Sequence, residues 1–285
     1  NPCYELPDAK KVREALAQVG FIVSFSSFQD ETAAMADLLL PDHVYLERYE
    51  DVPVGAGLAR RIIGLSRPVV SPQFNTRHLG DTLIAAAKSL GGSMADAFPW
   101  DDYAACLEET MAEKWDALME EGVWVESDVE PVSDSVRLAA MDAPAIEAEG
   151  DVDSFPLVLV PYDSIRLTSG YVGEAPFMIK AVPDTVIKGE DGFVEVNPLT
   201  AAAVGLSEGA LAVLTTPRGE VRVRVHLFEG IMPGVLAMAR GLGHTSYDGY
   251  LADKGININA LIGPVEDPAT GLDAAWGIRA KLAKA

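Results

Sequence analysis

Gly192-Phe-Val-Glu-Val-Asn-Pro-Leu-Thr-Ala-Ala-Ala-Val-Gly-Leu-Ser-Glu-Gly209, running through Ala210 into Leu211-Ala-Val-Leu-Thr-Thr-Pro-Arg-Gly-Glu-Val-Arg-Val-Arg-Val-His-Leu227, decides the fold. A short strand ends at Asn197. Asn197 can cap a helix, and Pro198 suits the first helical position because its missing N–H needs no partner there. The helix is short and stops at Gly205, which is free to turn left-handed after the last turn. A hairpin follows. Leu211 to Thr215 is one arm, Thr216-Pro217-Arg218-Gly219 is the turn, and Glu220 to Leu227 is the other arm. Pro217 and Gly219 take the second and fourth turn positions, which fits a type I turn. Along the second arm Val221, Val223, Val225 and Leu227 face one way, and Arg222, Arg224 and His226 the other. That is the period of a half-buried strand.

Upstream, Phe155-Pro-Leu-Val-Leu-Val160 reads as a buried strand. Downstream, Pro233-Gly234 leads to a strand at Val235-Leu-Ala-Met238, then to Arg240-Gly-Leu-Gly-His244 and Gly255-Ile-Asn-Ile-Asn-Ala-Leu-Ile-Gly263. Short strands, one internal helix and glycine-rich corners predict a closed, mostly β barrel. The Val-Asn-Pro-x-x-Ala helix start, the Gly-Leu-Ser-Glu-Gly turn, the Pro-Arg-Gly hairpin and the Gly-His and Gly-x-Asn-x-Asn loops carry a resemblance. They are similar to the C-terminal, pterin-cofactor-binding domain of the molybdopterin oxidoreductase (dimethyl sulfoxide reductase) superfamily. The resemblance implies a double-psi-type β-barrel over residues 155–285.

The chain has 285 residues, 49% of them hydrophobic, enough for two domains with real cores. No apolar run approaches the length of a membrane-spanning helix. A formal charge of −21 speaks against a nucleic-acid partner, which requires a basic surface. Cys3 and Cys106 are expected to be ordinary free thiols. The opening Asn1-Pro2-Cys3-Tyr4 has no initiator Met and no signal-like segment, so the chain is expected to start inside a larger domain.

Asp8 can cap a helix whose apolar positions Val12, Ala15, Leu16 and Val19 share a face, with Gly20 ending it. Phe21-Ile-Val-Ser-Phe25 reads as a strand of a parallel sheet covered on both faces. A short helix through Ala36 and the run Asp37-Leu-Leu-Leu-Pro41 complete a βαβ unit. Loops at the carboxyl ends of parallel strands bind ligands in open α/β sheets. Ser24, Ser26, Asp30, Glu31 and Thr32 are therefore candidates for nucleotide contact, although spacing alone favours Asp30 and Thr32 as simple helix caps. Phe25 through Pro41, followed by Leu46-Glu47, is similar to a segment of the same superfamily, in the α/β domain that holds the guanine end of one pterin dinucleotide. The likeness points to the membrane-complex branch, which includes polysulfide and thiosulfate reductases and the menaquinone reductase complex of sulfate reducers.

Residues 52–76 read as loop. Asn75 or Thr76 starts a helix with Leu79, Leu83, Ala86 and Leu90 on one face, ended by Gly91-Gly92. Asp101 caps a longer helix striped by Tyr103, Leu107, Met111 and Leu118, with Trp100, Trp115 and Trp124 expected to pack into the core. The fold class is then α/β, a parallel-sheet portion over 1–125 followed by the barrel. Residues 126–154, with nine acids and one base, form an acidic linker between them.

No metal-ligand motif is visible, the four histidines are scattered, and no catalytic residues can be assigned. Gripping a pterin dinucleotide needs backbone at close approach and side chains that donate and accept. Ser169-Gly170, His244, Gly255, Asn257 and Asn259 have that composition, and the family places pterin contacts in the corresponding loops. Asn257, Asn259 and Ser169 should line one cleft with the 24–32 loop. The resemblance implies molybdopterin guanine dinucleotide as the family cofactor. It also implies an iron–sulfur partner, an integral-membrane quinone-site subunit, a multihaem cytochrome c, and a place on the periplasmic side of the cytoplasmic membrane. Three roles stay open. One is a scaffold that lacks the metal cofactor, the role favoured here. Another is a catalytic bis-pterin subunit acting on a sulfur compound. The third is a free-standing barrel that binds some other ligand.

Overall fold

The structure is a computed structural model that describes residues 1–54, 58, 60–127, 147–167, 179–247, 249, 251–268, 270–274 and 277–285. Ser169, Gly170 and most of the acidic linker, residues 128–146, lie outside the described residues. The chain forms two compact units: Val23–Phe28 with Leu38–Ala140, and Asn1–Ile22 with Gln29–Asp37 and Met141–Ala285.

In the first unit β1 (Val23–Ser24) pairs in parallel with β2 (Leu38–Leu39). The parallel pairing expected at Phe21–Phe25 is present but only two residues wide, and Val23, Leu38 and Leu39 are exposed rather than covered. β3 (Glu50–Pro53), β4 (Ile62–Ser66) and β5 (Val123–Val125) make an antiparallel sheet, and its strand β4 and the end of β3 fall where loop was expected. Three short strands interrupted by Pro and Gly show no sustained alternation. The helix Leu79–Leu90 is capped by His78, whose Nδ1 accepts from the Gly80 amide, and not by Asn75 or Thr76. Its buried positions are Ile84 and Ala87; Leu83, Ala86 and Leu90 face solvent, so the expected stripe was set one position off. Asp102, not Asp101, caps Tyr103–Met111 through its carboxylate. Leu107 and Leu118 pack with Leu65, Tyr103, Met111, Trp115 and Trp124 as the stripe predicts, but the expected single helix breaks at Ala112 (φ 49°) into Tyr103–Met111 and Trp115–Glu121, and Trp100 stays outside this cluster, donating to Glu109.

In the second unit six strands close a barrel: β6 (Leu157–Tyr162), β8 (Asp191–Val196), β9 (Leu211–Thr216), β10 (Gly219–Leu227), β11 (Val235–Ala239) and β12 (Ile278–Lys284). Their order is β10-β9-β12-β6-β11-β8, and β8 pairs back onto β10; a short β7 (Ile187–Lys188) adds to β8. The β6–β11 and β8–β10 pairs are parallel and the rest antiparallel. Two parallel pairs in a six-stranded closed barrel fit the double-psi expectation. β12 was not anticipated, although Ile278, Ala280 and Leu282 are buried and alternate with Arg279, Lys281 and Ala283.

The barrel follows the sequence closely. Asn197 caps Pro198–Ala203 by accepting from the Leu199 amide, and its own amide holds the Ile231 carbonyl. Gly205 turns left-handed at φ 68°. Thr216 pairs with Gly219 across the two-residue turn. Val223 and Val225 point into the core with Val194, Val196, Leu214 and Leu236.

The first residues pack onto this barrel's loops within the same unit. The first helices are Pro2–Glu5 and Ala9–Leu16. The second stops short of Gly20, with Ala15 and Val19 exposed. Asp8 precedes it in the left-handed region, φ 57°, and its carboxylate does not cap. It pairs instead with Arg218 of the hairpin turn at 2.9 Å and with Lys11 at 3.1 Å. Arg218 also binds Glu149, whose carbonyl accepts from the Arg279 amide. The end of the acidic segment is thus fixed to the barrel, not solvated as its composition suggested.

Candidate functional site

Four short stretches that are distant in sequence converge around His244. The Gly241-Leu-Gly243 approach permits a turn in which Gly243 sits at φ 74°. A Cβ there would overlap the backbone of Ile256 and Asn257, so only glycine lets the two loops touch. Gly255, at φ 73°, has Leu242 Cβ 2.8 Å from where its own Cβ would be. These glycines serve chain-on-chain packing.

His244 is 2% exposed. Its ring stacks on Tyr4 at 3.7 Å and meets Tyr247 edge-on at 5.0 Å. The Tyr4 hydroxyl donates to the Leu242 carbonyl at 2.8 Å. Burial, then the nearby Glu31 charge, push the Tyr4 phenol well above its usual range.

Glu31 is the anchor. Its Oε1 accepts from the Thr245 amide at 2.7 Å and from His244 Nδ1 at 3.1 Å; its Oε2 accepts from Asn1 Nδ2 at 2.7 Å. Burial pushes this carboxyl up, but the hydrogen bonds from His244, Asn1 and Thr245 outweigh it and hold the group at about 2. An ionised carboxylate only accepts, so Nδ1 of His244 carries a proton. The other ring nitrogen, Nε2, is buried with no hydrogen-bond partner among the described residues.

Beside this set lies a cavity of about 400 Å³, within the range of small-molecule sites. Tyr4, Arg13, Glu31, His244, Asp253 and Asn257 are among the residues that line it.

The structure distributes the expected site residues unevenly. Glu31, His244, Gly255 and Asn257 share the cavity. Asp30 Oδ1 accepts from the Ala33 amide at 2.7 Å, at the start of the 3-10 turn Ala33–Met35 whose N-cap position is Thr32. Thr32 donates to Asn1 Oδ1 and accepts from the Cys3 amide. Asn257 and Asn259 both donate to the Tyr4 carbonyl, at 3.0 and 3.1 Å, and Asn257 Oδ1 accepts from the Asn259 amide. Ser24 and Ser26 sit in the other unit, where their hydroxyls accept from the Ser26 and Phe28 amides. Tyr4, Arg13 and Asp253 were not singled out. No local pattern marks them, because their neighbours in space are some 200 residues away in sequence or belong to an unremarkable loop.

A pterin dinucleotide would need free donor–acceptor edges and open space over glycine. The amides of Asn257 and Asn259 are engaged with Tyr4, and the room at Gly243 and Gly255 is filled by protein. In this arrangement these four residues make contacts within the protein, and Gly243, Gly255 and Asn257 also line the cavity. Among the described residues no helix is long and apolar enough to cross a membrane, and no group of three His, Cys, Asp or Glu could hold a metal ion.

Comparison with known proteins agrees with the fold. Residues 1–86 match the molybdopterin oxidoreductase family and residues 177–276 the molydopterin dinucleotide binding domain, which makes the pterin dinucleotide the cofactor of this family. The whole chain is 33% identical to the menaquinone reductase, molybdopterin-binding-like subunit of Nitratidesulfovibrio vulgaris, covering 41% of that protein. Over 144 residues, 47% of this chain and 17% of the relative, it is 31% identical to the arsenate respiratory reductase molybdopterin-containing subunit of Shewanella sp. strain ANA-3. The fold matches acetylene hydratase from Pelobacter acetylenicus with a TM-score of 0.76 at 18% identity, over 99% of this chain and 43% of that one. The chain thus spans about two-fifths of the relatives it matches along its whole length. Two matched family segments, together with a relative 33% identical over all of this chain, show that the chain belongs to the molybdopterin oxidoreductase (dimethyl sulfoxide reductase) family.

Proposed function

We propose that the chain is part of a molybdopterin-oxidoreductase-like subunit that serves as a scaffold in a membrane-associated respiratory complex. That complex passes electrons to or from menaquinone. The observation that carries the scaffold role is the engagement of Asn257 and Asn259 with the Tyr4 carbonyl. Side chains that would read a pterin edge instead fasten the first residues to the barrel. The full-length likeness to the menaquinone reductase subunit supports the choice of complex. In this reading the partners are an iron–sulfur subunit, an integral-membrane quinone-site subunit and a multihaem cytochrome c, and the assembly sits on the periplasmic side of the cytoplasmic membrane. The acidic surface would favour basic faces on those partners.

The likeness to an arsenate respiratory reductase subunit favours a second reading, a catalytic subunit with a molybdenum or tungsten bis-pterin site. Pterin and metal content of the purified parent complex separates the two. Oxidation of released pterin should give no stoichiometric fluorescence, and molybdenum and tungsten should be absent while electrons still reach menaquinone. A stoichiometric pterin signal removes the scaffold reading.

A further inference from the structure

The helix Leu79–Leu90 starts on an unusual cap. Ser, Thr, Asp and Asn ordinarily accept from a first-turn amide, and none of them loses its accepting oxygen between about pH 5 and pH 8. Here the acceptor is His78 Nδ1, 2.9 Å from the Gly80 nitrogen. A backbone N–H only donates, so Nδ1 is bare and the proton of the neutral ring sits on Nε2. The ring stacks on Tyr103 with centroids 4.7 Å apart. Gly80 makes room for the stack, because a Cβ there would stand 2.6 Å from the Tyr103 ring. Arg48, His78 and Tyr103 line two cavities, of about 210 and 250 Å³, so the stacked pair has open space beside it.

The groups around His78 are already engaged. Ahead of β3, Asp42 accepts from the Leu79 amide at 2.8 Å and pairs with Arg48, which also holds Glu50 of β3 at 3.0 Å. Glu47, which accepts from the Val44 and Gln73 amides, lines the smaller cavity with Tyr49, and His43 Nδ1 lies 2.6 Å from the Thr76 hydroxyl. On the helix itself Asp81 accepts from the Tyr103 amide at 2.8 Å. Asp102 caps Tyr103–Met111, and the Tyr103 hydroxyl donates to Asp51. Burial, above all, holds the His78 imidazole below its ordinary value of 6.5; Asp42 and Asp81 pull the other way, and Arg48 and His43 push with burial. A charged ring would also face the positive end of the helix. Stability from the neutral cap is therefore complete above pH 6.5 and is lost as pH falls below it. We propose that His78 is a proton-operated latch of the smaller unit: the neutral ring pins the start of this helix to Tyr103, and the protonated ring gives up the Gly80 amide and frees the helix start. Mild acid then loosens this unit while the barrel unit, whose Glu31 stays ionised down to about 2, keeps its anchor. The latch rests on neither reading of the chain's role.

The test uses the full chain, 15N-labelled, between about pH 7.5 and pH 5. At the upper end the His78 ring should show a bare Nδ1 and a protonated Nε2, and its titration midpoint should fall below 6.5. Amide protection from Gly80 to Ile84, corrected for intrinsic exchange, should drop about fivefold from about pH 7 to pH 5.5, the loss of one cap, while that of β9 and β12 holds. His78→Asn keeps an accepting cap that does not titrate, so it should fold and remove the drop. His43→Gln, which changes the other histidine of this unit, should leave the drop in place. The latch is overturned by a proton on Nδ1 at the upper pH, by a midpoint at or above 6.5, or by protection that ignores pH. A drop that persists in His78→Asn, or vanishes in His43→Gln, overturns it as well. If His78→Asn does not fold, the tautomer, the midpoint and the His43→Gln result decide the matter.

Discussion

Glu31 collects four donors on two oxygens, from Asn1, His244, Thr245 and Ser246, and is almost wholly shielded from water. Its folded pKa, about 2, lies below the ordinary glutamate value near 4.5. The stabilisation it provides is therefore complete above that ordinary value and is lost as pH falls toward about 2. Glu31→Gln should destabilise the barrel unit at neutral pH by about 1–3 kcal/mol, and the gap to wild type should shrink on acidification through that window. Thermal melts at stepped pH check it; a gap that stays constant would assign the stability elsewhere. The asparagines give a second outcome at this scale. Replacing Asn257 and Asn259 together by Ala leaves the Tyr4 carbonyl unpaired, at a cost of about 1–3 kcal/mol. Amide exchange should then speed up over residues 2–16 while the amides of β6, β9 and β12 keep their protection. Sequence reading singled out both asparagines for their chemistry. It could not tell that the group they meet is the backbone of residue 4, because nothing in a local pattern records a partner more than 250 positions away.

Elements with strong local codes were legible. Asn197-Pro198 became a cap and a helix start, and the Val221–Leu227 alternation became an inward face, because each is decided within a few residues. Elements decided by tertiary packing were not. The three-stranded sheet β3-β4-β5 draws its strands from positions 50 to 125, and the helix Leu79–Leu90 buries Ile84 and Ala87 because of what lies against it. β12 is the instructive case. Its alternation was present, but its place between β9 and β6 depends on strands that lie 50 or more residues upstream. Removing Ile278–Lys284 would leave β9 and β6 as open edges on an exposed apolar core. The truncated chain should lose the cooperative barrel transition by circular dichroism, whereas a barrel that still melts cooperatively would contradict the closure described. Asn197→Ala is the milder probe. It removes a cap worth about 1 kcal/mol and also strands the Ile231 carbonyl, so the loss should exceed that of a cap alone.

At the scale of the molecule the two units differ in how much core they possess. Among the described residues the barrel cluster has seventeen buried members and the Leu65–Leu107–Leu118 cluster three, so the smaller unit should unfold first. Calorimetry of the chain should resolve two transitions, and amide exchange should assign the lower one to residues 60–125; a single coincident transition by both probes would refute this. The smaller unit also leaves Phe74 83% and Val69 71% exposed, so its apolar surface should bind a hydrophobic dye already at low temperature. The insertion of β12 between two earlier strands has a further consequence, for biosynthesis. A ribosome delivers β6 through β11 long before residues 278–284 leave the exit tunnel, and during that interval the barrel is a sheet with a missing stave. Closure of this unit therefore waits for β12, and a nascent chain stalled before residue 278 should be chaperone-dependent and protease-sensitive where one stalled with residues 278–284 clear of the tunnel is not.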